Sequence, residues 1–256
     1  MCSLIRKLLL TCYVFCFVSG CSVQVDLSNR TNQTAEDIAK TSLQLDIVTI
    51  GDSLTKGVGS EEDKIGYQET FIDMLRLSMD DESIHLSSFG KKGLTSNQLK
   101  KYIQQEDVKQ SISNGDIIVL TVGGNDIMSI VKKHYMHLKL PYFTEGLKKY
   151  EDNIRYVIND IKNINQTTPI YLVGIYNPFN EILSDIKEFQ YITDLWNNQS
   201  NQIAMSYEKV YFIDISSDFK EMGNFINEND NFHPNSNGYQ VIGEAVYQSF
   251  IHTWIE

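Results

Sequence analysis

The chain has 256 residues, of which 42% are hydrophobic and 21% charged, and its formal net charge is −11 at pH 7. This length suits one sizeable domain, and the acidity argues against sequence-independent binding to nucleic acid and against adhesion to anionic lipid through charge. All four cysteines lie within the first 21 residues, which excludes a cysteine protease, a cysteine-based zinc site and a disulfide framework from the remainder.

The first feature in chain order is an apolar run from Leu8 to Val18, which follows Arg6 and Lys7. The run suits the core of a signal peptide and is shorter than the ~20 apolar residues that a membrane-spanning helix requires. It leads into "VSGC", which resembles a bacterial lipobox, in which the cysteine, here Cys21, is lipidated and becomes the mature N-terminus. An ordinary cleaved signal is the alternative. We therefore expect residues 1–20 to be a lipoprotein signal peptide.

A lipidated Cys21 would hold the protein on the bacterial cell membrane, outside the cytoplasm, because two acyl chains anchor stably. Residues 21–44 are polar and have no sustained apolar period, which predicts a flexible tether. Residues 45–256 then form one domain. Removing the first twenty residues, which include Arg6 and Lys7 and no acidic residue, changes the net charge from −11 to −13.

Five short apolar, β-branched runs follow, separated by longer segments with helical spacing. This alternation predicts an α/β fold in which helices cover both faces of a five-stranded parallel sheet. The predicted strands are Leu45–Ile50, Ile84–Phe89, Ile117–Val122, Ile170–Ile175 and Val210–Ile215. The predicted helices are Tyr67–Met79, Ser96–Ser111, Thr144–Asn165, Ile186–Tyr207 and Ser236–Trp254.

Four polar or glycine-containing motifs follow these strands. Because parallel strands end at one edge of the sheet, where ligands bind in such folds, we expect the motifs to converge there. They are "GDSLT" (51–55), "GKKGLT" (90–95), "GGND" (123–126) and "DNFHP" (230–234).

The residue types in these motifs suit ester hydrolysis, which requires a nucleophile, an oriented base and donors for the developing oxyanion. Ser53 can be the nucleophile and His233 its base, while Asp230 can accept the other imidazole N–H. The Gly93 amide, the Asn125 side chain and the Ser53 amide can donate to the oxyanion.

The four motifs, in this order and spacing, resemble the GDSL, or SGNH, hydrolase family from about Leu45 to the C-terminus. The resemblance implies a three-layer α/β/α sandwich of flavodoxin type, the SGNH hydrolase fold. It implies Ser53, Asp230 and His233 as catalytic triad, Gly93 and Asn125 as oxyanion donors, and no metal or other cofactor.

The sequence departs from the family pattern in the second motif. Ser88 stands where many relatives have asparagine, and Lys91 and Lys92 stand where small or apolar residues are common. An α/β-hydrolase is disfavoured because its nucleophile elbow needs glycine where Thr55 stands. The glycines do not form a dinucleotide or P-loop motif either.

Several residues beside the motifs have structural interpretations. Asp52 is expected to brace its loop, and Asp126 to cap a helix beginning near Ile127. His134 and His137 form a conceivable metal pair, but no third ligand is evident and we expect no metal.

Two segments are candidate walls of an acyl pocket. The segment from Asp126 to Phe143 offers apolar side chains, most of which we expect to pack in the core instead, and Tyr176–Asn180 follows the fourth strand. The side chains in question in the first segment are Met128, Ile130, Tyr135 and Met136.

The sequence thus predicts a serine esterase or lipase that cleaves a carboxylic ester of a small molecule, a lipid or an acetylated envelope glycan. An acyltransferase with the same triad and a non-catalytic lipoprotein that binds acylated ligands remain alternatives. The oligomeric state cannot be predicted from the sequence.

Overall fold

A computed structural model describes residues 44–60, 65–79, 83–178, 187–221 and 224–255. The predicted signal peptide, the lipidation site Cys21 and all of the tether except Gln44 lie outside these residues, as do Phe179 and Asn180 of the second candidate wall. In the part of the chain that is described, no helix is both long and apolar enough to cross a bilayer.

The core of the fold is a sheet of five parallel strands in the order β2-β1-β3-β4-β5. This confirms the predicted α/β architecture and all five strand positions. The strands are β1 (Leu45–Gly51), β2 (Ile84–Gly90), β3 (Ile117–Thr121), β4 (Ile170–Val173) and β5 (Val210–Ile213). The helices are α1 (Ser53–Lys56), α2 (Tyr67–Met79), α3 (Ser96–Tyr102), α4 (Glu106–Asn114), α5 (Gly124–His134), α6 (Leu140–Ile164), α7 (Lys187–Met205), α8 (Ser216–Glu221) and α9 (Ser236–Ile255).

Apolar clusters cover both faces of the sheet, because successive strand residues point to opposite sides. Ile118 and Leu120 of β3 pack with α3, α4, α6 and α7, whereas Ile117 and Val119 pack with α2 and α9. The result is the predicted three-layer sandwich.

The strand order creates a topological switch point between β1 and β3. The connection that leaves β1 packs on one face of the sheet through α2, and the one that leaves β3 packs on the other through α6. Because the two connections diverge, a crevice opens at the carboxyl ends of these strands, where ligands bind in such folds. Ser53 follows β1 and Asn125 follows β3, so both lie beside this crevice.

The single helix predicted for Ser96–Ser111 is wrong, since the structure has two helices, α3 and α4. Thr95 and Gln98 form a capping box at the start of α3. At 100° per residue, Val108 would lie about 140° around a continuous helix from Ile103. Both side chains are fully buried, and the break between the helices lets each reach the core.

Helices α5 and α6 form an antiparallel hairpin. Tyr150 of α6 lies beside Gly123 at the edge of the sheet, and Ile130 of α5 packs on Gly146. The predicted start of α6 at Thr144 was four residues too late: the helix begins at Leu140 with a proline in its first turn, where the missing N–H has no helical partner to lose.

Candidate active site

Ser53 follows the carboxyl end of β1 by two residues and is the first residue of α1. Its side chain is almost completely buried. Gly51 makes this turn possible: a Cβ there would lie 2.2 Å from Thr121 Oγ1 and 2.4 Å from the Thr121 carbonyl oxygen. The glycine of "GDSLT" therefore allows β1 to pass close to β3 just before the serine.

Asp52 connects the Ser53 turn with the end of β3. Its Oδ1 accepts hydrogen bonds from the Leu54 amide (3.0 Å) and Thr121 Oγ1 (3.1 Å), and its Oδ2 accepts from Asn125 Nδ2 (3.4 Å). Burial raises the pKa of Asp52 to about 6, although hydrogen bonds from Leu54 and Thr121 oppose the rise. The side chain thus braces the loop, as the sequence predicted.

Replacing Asp52 with asparagine should change how stability depends on pH. Between about pH 4 and pH 6 the folded parent holds the Asp52 proton more tightly than the unfolded chain, so its free energy of unfolding falls as the pH rises. An asparagine side chain does not titrate. We therefore expect the stability of Asp52→Asn relative to the parent to increase over this range, by up to about 3 kcal/mol, and to be constant above it. Urea unfolding at pH 4.5, 6 and 8 measures this, and a flat difference would contradict it.

Asn125 lies in the first turn of α5, and its Nδ2 donates to Asp52 and, at 3.2 Å, to the Leu94 carbonyl oxygen. Both hydrogen bonds are long, and catalytic hydrogen bonds often shorten only when substrate is bound. Gly93 has φ +81° and lies in an exposed turn next to Leu94, and the backbone amide of Lys91 at the start of this turn donates to the Gly51 carbonyl oxygen at 2.9 Å. The turn is thus tied to the Ser53 and Asn125 loops, but the oxyanion roles of Gly93 and Asn125 stay predictions.

His233 and Asp230 form a close pair, with Nδ1 of the ring 2.6 Å from Oδ2 of the carboxylate. The other carboxylate oxygen accepts from the amides of Phe232 and His233, each at 3.0 Å. Burial raises the pKa of Asp230, but these hydrogen bonds outweigh it and hold the pKa below its usual value. An ionised Asp230 keeps the proton of His233 on Nδ1 and leaves Nε2 as acceptor.

Three further side chains position the His233 loop and were not identified from the sequence. Tyr176 donates to the Phe232 carbonyl oxygen at 2.7 Å. The side-chain Nδ2 of Asn227 donates to the Gly59 carbonyl oxygen at 2.8 Å, and the backbone N–H of Asn227 donates to the His233 carbonyl oxygen, also at 2.8 Å. Asn235 donates to the carbonyl oxygens of residues 224 and 226. The density of asparagine in this stretch was the available signal, because its side chain bonds readily to nearby backbone.

Gly59 is the point where the Ser53 and His233 loops meet. It has φ +96°, and a Cβ would lie 2.6 Å from the Pro234 carbonyl oxygen and 2.9 Å from His233 Cβ. We expect Gly59→Ala to lower the free energy of unfolding by about 2–4 kcal/mol, through backbone strain and overpacking. Urea unfolding measures this loss.

Two other glycines serve as controls for this prediction. Gly93→Ala has a similar φ of +81° but open space around the Cβ, so it carries the strain alone. Gly124→Ala has open space and no unusual φ. Equal losses in all three variants would contradict the steric explanation.

Ser53, Asn125 and His233 line one cavity of about 60 Å³. Its walls come from the ends of β1, β3 and β4, from α5 and α7, and from the His233 loop, so three of the four predicted motifs meet at this cavity. Gly93 does not line it. The lining side chains are mostly apolar and include Val122, Ile127, Met128, Ile175, Tyr176, Pro178, Phe189 and Phe232.

The two candidate wall segments contribute unequally. Met128 lines the cavity, Ile130 packs against Gly146 in the hairpin, and Tyr135 and Met136 are largely exposed. From Tyr176–Asn180, the described residues 176–178 all line the cavity. The second segment is thus the more continuous wall.

The capping role predicted for Asp126 is wrong. Helix α5 begins at Gly124, three residues earlier than expected, and the Asp126 carboxylate instead accepts from the Ser96 amide (2.9 Å) and Ser96 Oγ (2.6 Å). Asp126 therefore stabilises the start of α3 and fastens it to α5. The sequence separation between Asp126 and Ser96 hides this contact.

His134 and His137 do not belong to a larger set of metal ligands, because no group of three or more His, Cys, Asp or Glu side chains that could hold a metal occurs among the described residues. His134 instead stacks on Tyr142, with ring centroids 3.9 Å apart. We expect EDTA to leave the hydrolytic rate unchanged. A loss of activity that added zinc restores would contradict this.

Comparison with known proteins places these features in context. Residues 49–241 match the model of the GDSL-like lipase/acylhydrolase family. The chain is 30% identical over 224 residues to the uncharacterized protein YpmR of Bacillus subtilis, covering 87% of each. It is 23% identical to the spore germination lipase LipC of Bacillus licheniformis, covering 80% of this chain and 95% of that protein. The solved lipase Lip_vut3 from a goat rumen metagenome shares the fold, with a TM-score of 0.71 and 23% identity, covering 79% of this chain and 95% of that one.

Proposed function

Since the chain belongs to the GDSL-like lipase/acylhydrolase family and is an esterase or lipase-type hydrolase, we propose that it cleaves carboxylic esters through an acyl intermediate on Ser53. The observation that carries this proposal is the placement of Ser53, Asn125 and His233 around one cavity, with His233 bonded to Asp230.

In the acylation step, His233 Nε2 accepts the proton of the Ser53 hydroxyl while Ser53 Oγ attacks the ester carbonyl carbon. Asp230 stabilises the imidazolium that forms. Collapse of the tetrahedral intermediate breaks the bond to the alcohol, and His233 returns the proton to the leaving oxygen. The products of this step are the free alcohol and acyl-Ser53.

The negative charge on the carbonyl oxygen requires donors in the intermediate. Asn125 Nδ2 lies on the cavity wall and is held by long hydrogen bonds to Asp52 and Leu94, so one N–H can turn to the oxyanion. The Ser53 and Gly93 amides are the other proposed donors. Loss of one such donor typically costs on the order of 10²–10³ in rate.

Deacylation repeats the same chemistry with water as nucleophile and His233 as base, which releases the acid and restores Ser53. An alcohol in place of water would make the protein an acyltransferase. Because the two reactions differ only in the acceptor, product analysis with and without an added alcohol distinguishes them.

The cavity favours a short acyl group. Its volume of about 60 Å³ is small, so we expect a short acyl group to fit inside it more readily than a long chain. Its apolar walls suit a hydrocarbon chain. We propose esters of short acyl groups, carried by a lipid, a small molecule or an envelope glycan, as substrates.

Hydrolysis of p-nitrophenyl esters from acetate to decanoate tests this proposal. We expect kcat/KM to be highest between acetate and hexanoate, and a fluorophosphonate to label Ser53 as mapped by mass spectrometry. The absence of both turnover and labelling would instead support a lipoprotein that only binds acylated ligands. Labelling of Ser53 together with a kcat/KM maximum at octanoate or longer would contradict the preference for a short acyl group and leave the acyl-enzyme proposal standing.

We further propose that Cys21 is lipidated and tethers the enzyme outside the cytoplasm, on the cell membrane. The motif "VSGC" and the apolar run before it support this. In a bacterial host, the parent should incorporate labelled fatty acid, whereas Cys21→Ala should not. A parent protein without label would contradict the anchor.

A further inference from the structure

The hairpin tip, which we define as residues 132–140 between α5 and α6, exposes apolar and basic side chains together. Four large apolar side chains are solvent-exposed within six residues, and three lysines adjoin them. The apolar residues are Tyr135 (72% exposed), Met136 (69%), Leu138 (41%) and Leu140 (47%), and the lysines are Lys132, Lys133 and Lys139.

The hairpin tip lies on the same side of the molecule as the Ser53 cavity. Tyr150 of α6 is beside Gly123 at the carboxyl edge of the sheet, and the ten residues of α6 before it extend about 15 Å beyond that edge. Helix α5 makes the outward path, since it begins at the edge and Ile127 and Met128 in its early turns line the cavity.

The two helices brace the tip. The rings of His134 and Tyr142 stack at 3.9 Å with an interplanar angle of 13°, and Ile130 packs on Gly146 one turn lower. The exposed apolar side chains therefore project from a packed hairpin. Binding at the tip would not carry the entropy cost of ordering a flexible loop.

The charge of the tip is opposite to that of the whole chain. Residues 127–144 contain three lysines and no acidic residue, whereas the chain as a whole carries −11. At about 0.1 M salt, charges more than ~10 Å away are largely screened, so an approaching surface senses mainly the charges of the tip and of Glu145 beside it. The acidic residue next in sequence, Glu145, is paired with Lys149 at 2.6 Å.

We propose that the hairpin tip docks on an anionic lipid bilayer, with its apolar side chains in the interface and its lysines on lipid phosphates. Lysines beside inserted aromatic and aliphatic residues are the combination that binds such surfaces. A nine-residue projection is small beside the about 20–30 residues that each partner contributes to a stable protein interface. Docking would turn the Ser53 cavity toward the membrane surface.

A fluorescent label at the tip tests the docking without relying on enzymatic activity. In the full chain with its four native cysteines replaced by alanine, which also removes any lipid anchor, Leu138→Cys is labelled with an environment-sensitive dye. Met205→Cys is the matched control, because Met205 is 79% exposed at the end of α7, just before β5 begins at the opposite edge of the sheet. Vesicles of phosphatidylcholine, with or without about one third phosphatidylglycerol, are added.

We expect the label at 138 to shift to the blue and to be quenched by brominated acyl chains on vesicles with phosphatidylglycerol, while the label at 205 changes in neither respect. Replacing Lys132, Lys133 and Lys139 with glutamine should lower the affinity for these vesicles on the order of 100-fold, about fivefold per lysine. Tyr135→Ser, at an exposed position, should lower this affinity as well and leave the free energy of unfolding unchanged.

Three outcomes would overturn the proposal. The labels at 138 and 205 would respond alike or not at all, pure phosphatidylcholine would bind equally well, or the signal at 138 would depend on protein concentration without vesicles. The last outcome would indicate that the tip contacts a second copy of the chain.

Discussion

Ser53→Ala should lower kcat for a p-nitrophenyl ester by on the order of 10⁴–10⁶ while the protein stays folded. The proposed mechanism forms a covalent bond to the Ser53 oxygen, and no other nucleophile has a place in it. The turn itself depends on Gly51 and on the carboxylate of Asp52, which accepts from the Leu54 amide and from Thr121, and the substitution leaves both in place. We therefore expect the free energy of unfolding to change by less than about 1 kcal/mol.

Ser78→Ala is the matched control, because Ser78 is a helical serine of α2 whose hydroxyl donates only to the Leu75 carbonyl oxygen among the described contacts. It should retain full activity and full fluorophosphonate labelling. If Ser53→Ala kept more than a small fraction of the parental rate at parental stability, the acyl-enzyme proposal would be refuted, although membership of the family would stand.

His233→Ala should reduce kcat by a similar factor, on the order of 10⁴–10⁶, because Ser53 then has no base. The backbone contacts of residue 233 persist: its amide donates to Asp230, and its carbonyl oxygen accepts from Asn227. The lost ring leaves a space in the wall of the cavity that Ser53 also lines. Added imidazole should therefore restore part of the rate. The restored rate should rise with pH as the fraction of unprotonated imidazole in solution rises.

Asp230→Asn separates the orientation of His233 from its presence. Asparagine Oδ1 can still accept from the amides of Phe232 and His233, but its Nδ2 would face Nδ1 of the ring, 2.6 Å away in the parent pair. The ring would then carry its proton on Nε2 and could not act as base, so we expect kcat to fall by about 10⁴, a loss that imidazole does not rescue.

A different result would assign His233 a structural role. In that case His233→Ala would unfold at a much lower urea concentration than the parent, and imidazole would not rescue its activity.

The sheet was predictable because its strands are short apolar runs bounded by turns. A short run that is apolar at every position is typical of a strand that is buried on both faces. The edge strand β2 is instructive: its pattern "IHLSSFG" mixes polar and apolar residues, and in the structure it is only half-buried. Helix boundaries were less predictable. The break between α3 and α4 depends on Ile103 and Val108 reaching the core in different directions, which is a tertiary requirement.

At the site, three of the four motifs predicted residues that line the cavity, since the edge of a parallel sheet collects the residues that follow its strands. The supporting contacts were not predictable. Asp126 reaches Ser96, and Asn227 reaches Gly59, and neither pairing leaves a local pattern in the sequence. Such contacts depend on how the loops lie over each other, which only the folded chain determines.

The proposed nucleophile follows the first strand, whereas its proposed base precedes the last helix, and Tyr239 of that helix donates to the Val58 carbonyl oxygen in the loop behind Ser53. During synthesis, a growing polypeptide therefore lacks the His233 imidazole until all five strands of the sheet have been made. Esterase activity would therefore appear only after the sheet is complete, and products truncated before His233 would be inert.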